Sequence, residues 1–249
     1  MNEQQYLRYL SYRFIKPFHR SSTPDWKCPH CENGLLSLRK DSLFYEETPD
    51  SRSLHSHPDW EPDWIDYRFT ASFECNKCTG ITFVCGIGNE TFYPAVEAGD
   101  EDFEDIEFIP KYFEPAIPLF AIPKGCPDSI GKILKSAFSV AWADLASGCN
   151  RLRVAVEKLI FELDPSLNGT LHQKLEVLSE SHREPAHLLM AIKWLGNDAS
   201  HDGSLRECDL AFGFRAMESV LKDLYANERD ELRDLASIVN AGRGSPART

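Results

Sequence analysis

The spacing of hydrophobic residues changes along the chain, from a period of two before residue 90 to a helical period after residue 125. Two alternating runs flank a short polar turn in the first part: Tyr67, Phe69, Ala71, Phe73 and then Ile81, Phe83, Cys85. Strict alternation predicts strands, because successive side chains of a strand point to opposite faces. These two runs therefore predict a β-hairpin.

A short helix with an apolar side is predicted ahead of this hairpin. Its apolar residues are Tyr6, Leu7, Leu10, Tyr12 and Phe14. Lys16-Pro17 is expected to end it, since the residue before a proline disfavours the helical conformation. We expect this helix to pack onto the β region.

After Gly125, apolar residues recur every three or four positions and predict five helices, with a charged helix continuing towards Val239. The first is expected to begin at Pro127-Asp128. The residues expected to end or begin the others are Gly148, Asn150, Asn168-Gly169, Gly196-Asn197 and the capping-box sequence Ser204-Leu205-Arg206-Glu207. The fourth helix is expected to run from about Pro185 to Leu195.

Two Cys-x-x-Cys pairs, Cys28/Cys31 and Cys75/Cys78, carry the most specific chemistry of the sequence. Paired thiolates at this spacing converge on one metal ion, and two pairs complete a tetrahedral four-sulfur shell. Such a shell leaves no position for a substrate, so the pattern predicts a structural zinc ion. A redox pair is the competing interpretation, but it requires a βαβ context that neither pair has.

Residues 32–74 separate the two pairs, whereas a compact zinc ribbon separates them by about 15 to 20 residues. One hairpin must therefore carry an inserted loop. His55 and His57 lie in this insert and could replace a cysteine or bind a second ion, but their Ser, Pro and Asp neighbours favour a solvated loop. The remaining cysteines are interpreted as reduced core thiols: Cys85, Cys126, Cys149 and Cys208.

The chain has 249 residues and a formal net charge of -12, which argues against a broad basic face for nucleic acid. Its composition, 42% hydrophobic and 27% charged, is that of a globular protein. It contains no apolar run of about 18 residues and begins without a secretory signal pattern, so we predict a cytoplasmic protein with no membrane partner.

Half of the negative excess lies in residues 91–125, which carry 2 basic and 8 acidic groups. This stretch also contains several prolines, so it is expected to be extended and to connect two domains. The predicted organisation is, in order, an N-terminal helical segment at 1–25, a zinc-ribbon module at 26–92, an acidic connector at 93–125, a helical bundle at 126–240 and a disordered tail at 241–249.

The segment Leu152–Leu159 and the later segment Ile192–Asp202 resemble the family named domain of unknown function 4145, over roughly residues 115–227. The sequence Gly196-Asn197-x-x-x-His201 is the most specific part. The family is similar to the HEPN superfamily (higher eukaryote and prokaryote nucleotide-binding domains), is mainly bacterial, and occurs alone, behind zinc ribbons or attached to restriction or phage-defence enzymes. The resemblance implies a helical bundle and a setting in anti-phage defence.

Many HEPN proteins cleave RNA in a dimeric site in which an arginine and a histidine of one helix lie close together. The resemblance makes His201 the candidate for that histidine, but it does not imply a particular reaction. Relatives commonly have arginine where this chain has Lys193, eight positions before His201. Lysine keeps the positive charge but cannot form the planar, bidentate hydrogen bonds to phosphate that arginine forms. The substitution weakens the interpretation as a nuclease.

An architectural role is the alternative for the motif candidates, which are Arg153, Glu157, Lys193, Gly196, Asn197 and His201. Arg153 and Glu157 stand one helical turn apart and can pair. Asn197 and His201 could fasten the fourth helix to that helix through hydrogen bonds. Binding of a ligand or nucleotide is a third option.

The sequence thus predicts an α+β protein: a small β zinc-ribbon module followed by an all-α, HEPN-like bundle. The predicted function is that of a zinc-binding adaptor or binding protein in a nucleic-acid-related process. It would bind a protein partner or associate with itself through the helical bundle, with RNA or DNA as a second option. The alternative is a metal-independent ribonuclease that uses His201, so the sequence leaves catalysis open.

Overall fold

A computed structural model describes residues 2–93, 103–201, 205–226 and 228–244, with their side chains except those of Tyr93, Phe103, Glu104, Ser200, His201 and residues 228–234. The strands are β1 (Leu36–Leu38), β2 (Phe44–Glu47), β3 (Asp66–Cys75), β4 (Ile81–Tyr93) and β5 (Phe103–Glu114). The helices are α1 (Glu3–Leu10), α2 (Pro49–Leu54), α3 (Asp128–Ala141), α4 (Leu145–Leu163), α5 (Leu171–Ser181), α6 (Arg183–His201), α7 (Glu207–Tyr225) and α8 (Glu228–Gly242). The predicted α+β class is confirmed.

The strands form one antiparallel sheet in the order β1-β3-β4-β5, and β2 pairs with the other end of β3. The second cysteine pair lies at the turn between β3 and β4, so the predicted hairpin is confirmed. The insert between the cysteine pairs contributes β2 to the sheet edge and then forms α2 and a short 3-10 turn at Pro62–Trp64. The insert is therefore more ordered than the solvated loop that we expected.

The residues whose alternation predicted β4, Ile81, Phe83 and Cys85, lie on the face away from the sheet core. Phe73 pairs with Thr82 and Ala71 pairs with Val84, so these four side chains share the buried face. Phe83, one position out of step, is exposed. Directly opposed residues of an antiparallel pair lie on one face, and the register therefore decides which set of residues is buried.

The predicted connector at 93–125 is wrong for its central residues, 103–114. Residues 103–114 form β5 and pair with β4 along their length, while residues 94–102 lie outside the described part of the chain. Phe108 and Phe113 are buried on the core face, and this burial offsets the unfavourable acidic composition around them. The sheet therefore ends at Glu114, and residues 115–127 lead into α3.

The N-terminal helix packs on the bundle and not, as we expected, on the β region. The Tyr9 ring lies 5.4 Å from that of Phe212 in α7, and its hydroxyl donates to Asp209 at 2.7 Å. The backbone N–H groups of Phe14 and Ile15 donate to the Glu207 carboxylate at 2.7 and 2.8 Å. Carboxylates in the first turn of α7 thus hold the N-terminal arm, residues 2–15.

The first bundle helix ends earlier than its periodicity suggested. It stops at Ala141, and α4 begins at Leu145 with the Asp144 carboxylate accepting from the Ser147 N–H at 3.0 Å. Gly148, expected to end a helix, lies inside α4, where a Cβ would meet Ala141 and Leu210 at about 3 Å. The expected cap at Asn150 is therefore wrong, because Asp144 performs that role.

The expected break at Gly196-Asn197 is also wrong, since α6 continues through both residues to His201. A Cβ at Gly196 would lie 3.1 to 3.2 Å from Arg153 side-chain atoms, so this glycine permits a close approach of α4 to α6. For α7, the helix begins at Glu207 and the Asp209 carboxylate accepts from the Arg206 N–H at 2.8 Å. Ser204 of the predicted capping box lies outside the described residues.

Two hydrophobic cores result. The bundle core is formed mainly by α3, α4, α6 and α7, and α5 packs on α6. The sheet core is rich in aromatic residues and also includes Trp142, the residue after α3. None of the helices in the described part of the chain is long and apolar enough to cross a membrane. Residues 245–249 of the predicted tail are not among the described residues.

Candidate metal centre and family motif

Cys28 and Cys75 begin two turns with the same backbone hydrogen bonds. The N–H of the residue four positions later returns to the cysteine carbonyl, from Glu32 to Cys28 at 2.9 Å and from Thr79 to Cys75 at 3.1 Å. Glu32 and Thr79 both have a φ of 56°, in the left-handed region. The two pairs are thus equivalent knuckles at the tips of two hairpins, and each directs both of its sulfurs inward.

The four sulfurs of Cys28, Cys31, Cys75 and Cys78 all lie within 4.8 Å of one another. The shortest separations are 3.6 Å between Cys28 and Cys78 and 3.7 Å between Cys31 and Cys75. Cys28 and Cys75 are buried, whereas Cys78 is exposed. This cluster could hold a metal ion.

Sequence reasoning missed two glycines that make the cluster possible. The Cys28 N–H donates to Gly34 and the Cys75 N–H to Gly80, each at 3.0 Å. A Cβ at Gly34 would collide with the Cys75 sulfur, and one at Gly80 would lie 2.5 Å from the His30 ring. Their position two or three residues after the second cysteine of each knuckle is the signal that could have identified them.

Backbone N–H groups prepare one thiol to bind a cation. The N–H groups of Cys78 and Lys77 point at the Cys75 sulfur at 3.5 and 3.4 Å and lower the pKa of this thiol to about 6. Burial instead raises the pKa of Cys28. A thiolate is therefore present at neutral pH, and a bound cation would favour deprotonation of the others.

The histidines near the cluster have other partners. The His30 Nε2 atom lies 3.0 Å from the Ile81 carbonyl oxygen. His55 contacts Glu47 at 2.8 Å and packs against Trp60, while His57 packs against Trp64. None of these histidines belongs to a potential metal cluster among the described residues.

The other four cysteines lie outside the cluster. Cys149 and Cys208 are buried in the bundle, and Cys85 and Cys126 are half-buried. Burial raises the pKa of Cys149 to about 12. All eight cysteines of the chain are unpaired thiols.

The structure brings three motif candidates together where α4 crosses α6. The Arg153 Nη1 atom donates to the Asn197 carbonyl oxygen at 3.1 Å, and its Nε atom lies 3.5 Å from the Glu157 carboxylate. The Arg153 side chain also packs against the bare backbone of Gly196. The guanidinium group therefore joins the two helices, while the His201 side chain lies outside the described residues.

Lys193 lies on the same helix and is buried, with 7% of its surface exposed. Its ammonium nitrogen stands 3.1 Å from the centroid of the Trp194 ring, a cation–π contact. Trp194 is itself half exposed and packs beside His172. A separate open groove between α5 and α6 is lined by two further basic residues, Arg183 and His187.

Comparison with known families assigns both halves of the chain. Residues 16–113 match the family described as "Domain of unknown function (DUF8608)", and residues 135–241 match "Domain of unknown function (DUF4145)". No curated protein and no solved structure matches the chain significantly. The chain therefore carries, behind a DUF8608 region that holds the four cysteines, the DUF4145 region that its helical motif predicts.

Proposed function

We propose that Cys28, Cys31, Cys75 and Cys78 bind one structural Zn²⁺ ion, and that the protein is a binding or adaptor protein built on this module. The observation that carries the metal is the closed four-sulfur shell. Sulfurs at about 2.3 Å from a tetrahedral zinc ion lie about 3.8 Å from one another. The separations of 3.6 and 3.7 Å agree with this value.

Elemental analysis of the purified protein tests the ion. We expect about one zinc per chain, and its loss when Cys75 and Cys78 are both replaced by serine. Cys85→Ser is the control, because this half-buried thiol lies outside the shell. Iron in place of zinc, or a folded metal-free protein, would contradict the proposal.

The binding or adaptor role is supported by the way in which Arg153 is used. Its bonds to Asn197 and Glu157 and its packing on Gly196 are contacts that join two helices. Asn197→Ala should lower stability by about 0.5 to 1.5 kcal/mol, since it removes the acceptor from a guanidinium group on a side chain that is 34% exposed. An unchanged unfolding midpoint would remove this support.

A metal-independent ribonuclease is the second candidate, and Lys193 is the observation that favours it. Among the described residues, this buried ammonium group has a ring against it and no carboxylate, and it lies eight positions before His201. If His201 transfers protons, His201→Ala should reduce RNA cleavage by about 10²-fold to 10⁴-fold with an unchanged melting temperature. Lys193→Arg should raise it. Purified protein without RNA cleavage would exclude this candidate.

The cellular setting is a proposal from the family resemblance. We place the protein in the cytoplasm, since eight unpaired thiols suit a reducing compartment. A nucleic-acid-related process such as anti-phage defence would involve a protein partner, because the net charge of -12 disfavours extensive contact with the phosphate backbone of a nucleic acid. An adjacent nuclease or helicase gene would support the adaptor role, and neighbouring genes unrelated to nucleic acids would argue against it.

A further inference from the structure

The outer face of the sheet is unusually apolar for a surface in water. One cross-strand row consists of Phe44, Thr70, Cys85 and Tyr112 on β2, β3, β4 and β5. Ile87 and Ile109 form part of the next row, and Phe83 stands on the other side of Cys85. We call these residues, with Ile81, the outer sheet face. In an antiparallel sheet with one solvated face, these positions are normally polar.

Three aromatic side chains of this face are largely open to solvent. Phe44 is 69% exposed, Phe83 is 60% exposed and Tyr112 is 58% exposed. An aromatic side chain buries roughly 150 to 250 Å² of surface when it is fully covered. The exposed parts of these three side chains therefore amount to roughly 300 to 450 Å² of apolar surface in each copy. With the half-buried isoleucines and the rim, two such faces would bury roughly 1,000 to 1,200 Å² in total, which reaches the lower limit for a specific interface.

The row is arranged so that a second copy fits it. Phe44 and Tyr112 stand at its two ends, three strand spacings or about 14 Å apart. A two-fold axis that runs along this row, across the strands, keeps each strand over the same strand of the other copy and exchanges the residues on either side of the row. Phe83 of one copy then lies over Ile87 of the other, twice, and Arg68 lies over Ser72, while the strands of the two sheets stay aligned as in a β-sandwich.

The charges around the face agree with a copy of the same chain as the occupant. Glu46, Arg68 and Glu114 point outward beside the apolar residues, and Arg68 forms no salt bridge within the described part of the chain. A rim of both signs does not repel itself, whereas the acidic protein as a whole opposes nucleic acid or an anionic membrane. We propose that the outer sheet face is the interface of a two-fold symmetric dimer of this chain.

Sedimentation velocity of the full-length protein at increasing concentration tests the dimer. An interface at this lower size limit is expected to dissociate readily, so the concentration series should extend to about 200 µM. Tyr112→Glu places a charge in both halves of the interface, so the dissociation constant should rise at least about 100-fold. Tyr112→Phe keeps the ring and should keep the dimer. Helical circular dichroism and metal content establish that each variant is folded.

Phe161→Glu is the matched control, since Phe161 is 54% exposed on α4, away from the sheet. The inference goes beyond the proposed function, and the metal content of Tyr112→Glu should be unchanged. A wild-type protein that stays monomeric up to about 200 µM would overturn the dimer. A dimer that Phe161→Glu dissociates and Tyr112→Glu does not would move the interface to the helical bundle.

Discussion

The sheet region and the helical bundle bury different kinds of side chain. The bundle core is largely aliphatic, with leucines, isoleucines and alanines on helical faces. The sheet core is built from aromatic rings, among them Phe18, Phe73 and Phe108, and two of the clustered cysteines belong to it. A metal ion would therefore complete the core of one region, whereas apolar burial alone stabilises the other.

The two regions are nevertheless joined by specific residues. Trp142 follows α3 but packs in the sheet core, with its ring 4.8 Å from that of Phe113 and 6.3 Å from that of Trp26. Phe14 of the arm contacts both Trp142 and Phe214 of the bundle. Damage to the sheet should therefore weaken the C-terminal end of α3 without unfolding the bundle.

Loss of the metal should have the largest effect and should unfold the sheet region but not the helical bundle. In Cys75→Ser/Cys78→Ser protein, we expect residues 26–90 and β5, which pairs with β4, to unfold, because structural zinc binding contributes on the order of 10 to 16 kcal/mol to folding in small modules. Helical circular dichroism at 222 nm should largely remain. Complete loss of the helical signal would show that the bundle depends on the sheet.

Trp142→Ala should weaken both regions at once. Trp142 is 2% exposed, and truncation of a buried tryptophan costs about 3 to 5 kcal/mol. Thermal release of metal and thermal loss of helix, followed separately, should both shift to lower temperature. Trp194→Ala is the control, because this ring is half exposed. If only metal release or only the loss of helix shifted, Trp142 would stabilise only one of the two regions.

Substitution by alanine should be harmful at one glycine, Gly34, and stabilising at another, Gly131. At Gly34 a Cβ meets the Cys75 sulfur, so Gly34→Ala should lower metal affinity by about 10-fold to 100-fold. At Gly131 in α3 nothing lies within 4 Å of an added Cβ, and Gly131→Ala should stabilise the bundle by about 0.5 to 1 kcal/mol. Metal titration and urea unfolding of both variants provide the test, and equal metal affinity in the Gly34 variant would refute the argument.

The N-terminal arm should be attached in a pH-dependent way, with the smallest effect. Burial alone would raise the pKa of the Asp209 carboxyl, but hydrogen bonds from Arg206 and Tyr9 outweigh it and lower this pKa. A lowered pKa stabilises the folded state above the unfolded value, near 3.9, and this contribution is lost as the pH falls through the folded pKa.

Tyr9→Phe should therefore cost about 0.5 to 1.5 kcal/mol at pH 6 and progressively less as the pH falls below about 4, because the Asp209 carboxylate takes up a proton in that range. The readout is urea unfolding of both proteins at a series of pH values from about 6 to about 2. The same difference in stability across the series would mean that the Asp209 charge plays no part in holding the arm.

Strong local patterns predicted the elements, and tertiary contacts decided their ends. The helical period predicted α3, α4 and α6, but Gly148 and Gly196 looked like stops because glycine is a poor helix former. Both lie inside helices, where a neighbouring helix occupies the space of the missing side chain. A sequence alone does not show which glycine faces a neighbour, so boundaries at such positions could not be predicted.

The cysteine spacing determined by itself that four thiols would meet, since each knuckle is a local structure. Only the tertiary structure decided what supports them: Gly34 and Gly80 lie close to thiols or rings that are distant in the sequence. It also decided that β5 emerges from an acidic segment and that Phe83 points outward. Pairing register and helix packing depend on contacts between distant residues, and a residue's local sequence does not contain those contacts.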